Sequence, residues 1–280
     1  MKIGKEINIV KYKLIASDLD ETLLNDQKHV GIKTQEAIKE LKNKGIRFVP
    51  NAGRGYTLIR QTLKEIDALD QPDSYVISFN GSVITENKNE RIIDQTLLDF
   101  SIINQLFKIG VKQRVPIHIY TMDDIYVCNL NDSEKGYLDR MGFTYNVFAG
   151  ESIDFLKKQQ LVKIIYMSKV QTVLDNIYSQ IPKSLLQETT VTHSSNRYME
   201  FNHVGINKGK GLLKLAKLLN IKPSEIIAVG DNSNDLAMIR AAGLGVAVKN
   251  AVPEVKEAAD FVLTHDYNHD AIAELIERFT

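Results

Sequence analysis

Five short apolar runs constrain this chain more than anything else in it. They are Tyr12 to Ser17, Ile46 to Pro50, Tyr75 to Phe79, Glu225 to Val229 and Leu244 to Val248. Each has the length of a strand, and continuous apolar character suits strands covered on both faces. Segments with helical spacing lie between them. Ile32 to Lys44 carries Ala37, Ile38 and Leu41 on one face, and Gly45 stands where a C-terminal cap falls. Gly55 to Ile66, Lys208 to Leu219, Asn234 to Ala241 and Asp270 to Phe279 read as further helices. Strands alternating with helices predict βαβ units and a parallel sheet.

The middle of the chain has another texture. The Asn80-Gly81 turn leads to Val83 to Thr85, a polar turn at Asn87 to Asn89 and Ile92-Ile93, which read as a hairpin. Ile117 to Thr121 and Ile125 to Cys128 flank Met122-Asp123-Asp124, a second hairpin signal. Leu161 to Met167 and Thr189 to Ser194 are strand-like, and Leu97 to Gln113 and Val170 to Ser179 are helical. Hairpins mixed with helices indicate an α+β domain inserted into an α/β core that both chain ends build.

Composition excludes several classes. The chain has 280 residues, with 35 Lys and Arg against 35 Asp and Glu. Balanced charge gives no bulk attraction to nucleic acid or to an anionic membrane. No segment approaches the ~20 apolar residues that a membrane span needs. Met1 to Lys13 has no uninterrupted apolar stretch of the kind a signal peptide carries, so the expected location is the cytoplasm. The single cysteine, Cys128, rules out an internal disulfide and a multi-cysteine zinc site.

Chemistry is concentrated after two of the apolar runs. Asp18-Leu19-Asp20-Glu21-Thr22 follows the first, and Gly230-Asp231-Asn232-Ser233-Asn234-Asp235 follows the fourth. Ligands of open parallel sheets bind at the carboxyl ends of strands. Turns and helix caps account for one or two such polar residues, but not for two acidic loops. If the strands are neighbours, the carboxylates converge and repel one another unless a cation lies between them. Oxygen ligands without a Cys or His cluster favour magnesium over zinc. Lys208 opens a helix, where its charge adds to the positive helix end. Gly205 to Gly211 is not a Walker A loop, because one spacer residue is missing and Gly211 stands where Ser or Thr is required. Gly243-Leu244-Gly245 lacks the third glycine of a dinucleotide fingerprint.

Taken in order, these segments resemble the haloacid dehalogenase superfamily. Within it they resemble the Cof-type (subfamily IIB) phosphatases, which carry a large C2-type cap between the second and third motifs. DLDET at Asp18 to Thr22 matches the first motif, and FVPNAGRGY at Phe48 to Tyr56 the second region. Lys208 in GINKGKGL matches the third motif, and GDNSNDLAM at Gly230 to Met238 the fourth. The resemblance implies a Rossmann-like parallel-sheet core over 1–83 and 198–280, and an inserted α+β cap over 84–197 that selects the substrate. It implies that Asp18 attacks phosphorus and that Asp20 protonates the leaving oxygen and later activates water. Asp18, the Asp20 carbonyl and Asp231 would hold Mg2+, with Asp235 supporting that site. Lys208, Asn234, Gly53, Arg54 and the Ala52 backbone would bind phosphate. The implied partner is a small phosphorylated metabolite, with sugar phosphates as the default.

The chain departs from the family pattern at three places. Ala52 occupies the place of a Thr or Ser, which removes a hydrogen bond to phosphate worth ~1.5–3 kcal/mol. Asn51 could substitute, but its neighbouring position should point it elsewhere. Glu21 replaces the commoner Gly, which is harmless unless that position is left-handed. His269-Asp270-Ala271 lacks a Gly that often follows the Asp. Ala52 therefore keeps open a non-catalytic phospho-ligand binder, and a phosphomutase is the third reading. Cap residues His118, Tyr120, His193 and Arg197 are candidates for contact with the substrate.

Overall fold

Leu14–Ser17 is buried along its whole length and lies inside a parallel sheet, paired on both sides, with Ile226–Gly230 and with Arg47–Pro50. The computed structural model describes residues 12–280, so the reading of the chain start, in so far as it concerns residues 1–11, lies outside the described residues. The order across the five-stranded sheet is Phe261–Val262, Leu244–Ala247, Ile226–Gly230, Leu14–Ser17, Arg47–Pro50. Alternate side chains of one strand feed two cores. Ile15 packs with Ile38, Leu41 and Leu275 on one face, while Leu14 and Ala16 pack with Leu212 and Leu215 on the other. Helices therefore cover both faces, as the uninterrupted apolar runs require.

Beside Arg47–Pro50, the antiparallel strands Tyr75–Ser78, Val83–Glu86 and Arg91–Gln95 form a small sheet. An Asn51–Ile77 bridge joins it to the core. A third sheet has six strands in the order Thr189–Ser194, Tyr198–His203, Leu161–Met167, Ile117–Thr121, Ile125–Cys128, Asn146–Val147. Helices Phe100–Lys112 and Gln171–Ser179 cover one face of it. Its other face, with Tyr120, Ile165 and Tyr198, packs against Phe79 from the core. The α/β core with an α+β cap is borne out.

The strands pair differently from the expected seams. Tyr198–His203 belongs to the cap sheet and pairs with Thr189–Ser194, so a boundary at 197/198 would cut a hairpin. Arg91–Gln95, expected in the cap, pairs with Val83–Glu86 beside the core. Sequence texture marks where a strand is, whereas the partner it pairs with is set by tertiary structure. Gly55 to Ile66 is not one helix but a 3-10 turn, Tyr56–Ile59, followed by the helix Arg60–Glu65. Asp132–Arg140 is a helix that was not anticipated, because only Glu134 and Leu138 of it are buried and no apolar stripe results. Among the described residues, no helix is long and apolar enough to cross a membrane.

Candidate active site

Ser17 lies opposite Val229 in two parallel neighbouring strands, so the residues after both strands emerge at the same edge. The Asp18 N–H continues the ladder by donating to the Val229 carbonyl at 3.0 Å. Asp231 follows its own strand by one residue. Asp18, Asp231 and Asp235 each offer a carboxylate oxygen, and the three oxygens lie within 4.8 Å of one another. All three side chains are buried.

Lys208 reaches this cluster from the first turn of helix Lys208–Leu218, whose N-terminus Asn207 caps through Lys210 N–H. Its ammonium is fully buried, donating to Asp18 Oδ1 and, at 2.6 Å, to Asp235 Oδ1. Gly209 lets this helix approach, because a Cβ there would sit 2.3 Å from the Ala237 carbonyl oxygen. Of the glycines that mimic a phosphate loop in sequence, Gly209 and Gly211 thus serve packing, while Gly205 has φ 78° and no neighbour within 4 Å of a Cβ. Asn51, held apart from the cavity, donates from Nδ2 to the Lys208 carbonyl at 3.1 Å.

Burial pushes the Asp18 carboxyl up to about 7; Lys208 pulls it down and Asp235 pushes it further up. Burial, then Asp235 and Asp18, push Asp231 up to about 10. Burial opposes charge on Lys208 as well, yet Asp18 and Asp235 outweigh it and hold the ammonium above its ordinary range. Three buried carboxylates facing one ammonium are short of positive charge, and a divalent cation would supply it. The free ligand atoms are identifiable. Asp18 Oδ2 and Asp231 Oδ2 accept no hydrogen bond among the described residues, since Lys208 and Thr22 bond only the Oδ1 atoms. Asp235 differs. Its Oδ2 accepts from the N–H groups of Asp231 and Asn232 at 3.0 and 3.1 Å, and its Oδ1 from Lys208. It pins the loop, which fits a supporting place better than a direct ligand.

Asp20 is only partly buried, and its carboxylate is clamped. Arg54 donates to it from Nε at 3.0 Å and from Nη2 at 2.5 Å, and Lys28 adds a bond at 3.0 Å. Burial works against the charged form, but Arg54 and Lys28 prevail and hold Asp20 below the usual carboxylate range.

The 52–54 turn differs from expectation. The Ala52 N–H is not free for phosphate, because it donates to the Ile77 carbonyl at 2.9 Å. Gly53 and Asn234 do line the cavity between core and cap, as does Arg54 while bonded to Asp20. Glu21 has φ 57°, so the position is left-handed and the commoner glycine has a physical reason.

A family model for haloacid dehalogenase-like hydrolases matches residues 15–276. The chain belongs to the haloacid dehalogenase-like hydrolases. The resemblance drawn from the motifs is thereby borne out, and the chain is an enzyme of the hydrolase class. It is 31% identical over 273 residues to "Putative phosphatase YxeH" of Bacillus subtilis (strain 168), covering 95% of this chain and 98% of that one. It is 29% identical over 270 residues to 5-amino-6-(5-phospho-D-ribitylamino)uracil phosphatase YcsE of the same organism, covering 96% of each. Among solved structures, a haloacid dehalogenase-like hydrolase from Bacteroides thetaiotaomicron superposes with a TM-score of 0.84 at 27% identity, covering 96% of this chain and 100% of that one.

The cavity, of about 110 Å³, has a core floor and a cap roof. The roof includes Tyr120, Tyr137, Lys163, Tyr198 and Glu200. Of the cap residues singled out in the sequence, only Tyr120 lines the cavity. His193 is exposed, and Arg197 stands behind the wall on Glu134 at 3.1 Å. His118 is fully buried; its Nε2 is 3.3 Å from Glu134 Oε1, yet neither ring nitrogen makes a hydrogen bond. Lys163 and Glu200 were missed. Each is a charged residue inside an otherwise apolar strand, LVKIIYM and YMEFNH, and that anomaly is the signal that could have found them.

Proposed function

We propose that this hydrolase is a magnesium-dependent phosphatase of small phosphate monoesters, sugar phosphates or similar, acting through an aspartyl-phosphate on Asp18. One observation carries the reading. Asp18 is buried at a strand's carboxyl end, bonded to Lys208 through Oδ1, and keeps Oδ2 free beside Asp231. Relatives named as phosphatases support it.

Asp18 Oδ2 forms the bond to phosphorus as the bond to the leaving oxygen breaks. Asp20 donates a proton to that oxygen, then takes one from the water that attacks the aspartyl-phosphate and restores Asp18. Asp20 is paired with Arg54, so phosphate must draw the guanidinium away before Asp20 can carry a proton. Lys208 offsets charge on the nucleophile and the phosphoryl oxygens, while Gly53 N–H and Asn234 position the phosphoryl group. Asp18, Asp231 and the Asp20 carbonyl would hold the cation, which when bound neutralises phosphoryl charge.

We take the cap to run from about 97 to 204, following the sheet pairing, and to select the substrate by closing over the site. The setting is taken as cytoplasmic, with the single thiol, Cys128, buried and unpaired. The non-catalytic reading raised by Ala52 is not favoured, because the whole acidic set and Lys208 are assembled. Nothing in the site calls for a phosphomutase.

The test is phosphate release from p-nitrophenyl phosphate and a panel of sugar phosphates, with magnesium and with EDTA. Turnover should require the metal. Release that survives chelation, or no release from any substrate, overturns the proposal.

A further inference from the structure

We infer that Lys163, a cap residue, positions the middle peptide of the phosphate-binding turn, which runs from the Gly53 carbonyl to the Arg54 N–H; this rests on the phosphatase reading above. The 52–54 turn is held by its carbonyl oxygens. Ala52 C=O accepts from Asn80 N–H at 2.9 Å, and Arg54 C=O from Phe79 N–H at 3.1 Å. Both donors are backbone groups of the core. The middle carbonyl, of Gly53, accepts instead from Lys163 Nζ at 2.9 Å, across the seam between cap and core. The N–H of that peptide belongs to Arg54 and, like the Gly53 N–H, has no partner among the described residues; both residues line the cavity with Asp18.

Lys163 is built for one position. It is almost fully buried, bonded to Glu200 Oε2 at 2.6 Å, and stacked 4.7 Å over the Tyr120 ring. Glu200 is fixed in turn by Asn80 Nδ2 at 3.1 Å and by Ser194. A charge-assisted bond to the central carbonyl of a phosphate turn orients that peptide. The cap thus holds the middle peptide of a turn whose two outer carbonyls are held by the core.

The test compares Lys163→Met, Lys163→Met with Glu200→Gln, and Lys163→Arg. Two readouts are used: kcat/KM for p-nitrophenyl phosphate, and calorimetric affinity for inorganic phosphate with magnesium. Lys163→Met should weaken both by about 10- to 100-fold, the range for one hydrogen bond to a charged group. Lys163→Arg, which keeps a charged donor for the Gly53 carbonyl, should restore most of that loss. A lysine that only holds the fold would shift the melting temperature and leave the phosphate affinity of the folded protein unchanged. The Glu200→Gln partner variant removes the buried unpaired carboxylate, so thermal melting separates folding from positioning. Equal losses for Lys163→Arg and Lys163→Met, no loss at all, or unfolding of both Lys163→Met variants overturns the inference. If the unmodified protein releases no phosphate, the phosphatase reading fails, and the phosphate affinities still decide the role of Lys163.

Discussion

The core and the cap each bury a cluster of charges, and the two clusters are composed differently. At the centre of the core site Asp18, Asp231 and Asp235 face Lys208 alone. In the cap, Glu134 has Arg197 and Glu200 has Lys163. Burial penalises charge in both places. The cap offsets it by one-to-one pairing, while the core leaves negative charge unmatched. Matched charge fixes positions; unmatched charge marks a place where something positive must arrive.

The sharpest way to break this contrast is to neutralise a member of the unmatched set. Asp18→Asn should lower phosphate release at least about 10⁴-fold, the order expected for losing a nucleophile. Its melting temperature without metal should hold or rise, because one of three repelling carboxylates is gone. A clear fall would mean that the core cluster is already balanced. The cap should answer in the opposite sense. Glu134→Ala leaves Arg197 buried without a partner and should cost about 3–5 kcal/mol in urea unfolding, whereas Glu134→Leu with Arg197→Met should come close to neutral. Similar losses for both would contradict a merely structural pairing.

A smaller effect concerns pH. Burial, helped by the Lys163 charge, pushes the His118 imidazole down to about 3. The unfolded chain therefore takes up this proton first. The stabilisation is complete above the ordinary pKa near 6.5 and is lost as pH falls from there towards 3. Between pH 7 and pH 5 this histidine should account for about 2 kcal/mol of lost stability. His118→Phe should be less acid-sensitive by that amount, read as the difference between unfolding curves at the two pH values. The smallest effect returns to the core. Glu21→Gly relieves a left-handed backbone and should stabilise by about 1 kcal/mol, visible as a rise in melting temperature.

The core was the more legible region. Its strands are uninterrupted apolar runs, and its acids follow two of them directly, so fold and acidic cluster could be read together. The cap was read less well. Tyr198–His203 interrupts its buried apolar residues with Glu200 and Asn202, which hid a strand paired on both sides in its sheet. The Ala52 N–H was assigned to phosphate because nothing local shows that Ile77 claims it. Lys163 gives no sign in sequence of reaching Gly53, since that contact spans 110 positions. Chemistry placed by a strand end was legible; chemistry placed by the docking of two domains was not.

One consequence follows from where the strand Tyr198–His203 ends. Only 204–207 separate it from Lys208, and four residues can stretch about 14 Å at most. A cap that tilts beyond that slack pulls on the very turn carrying the lysine, and Asn51 resists through its grip on the Lys208 carbonyl. Lid and ammonium are thus in mechanical series, joined by a tether too short to let one travel far while the other stays at rest.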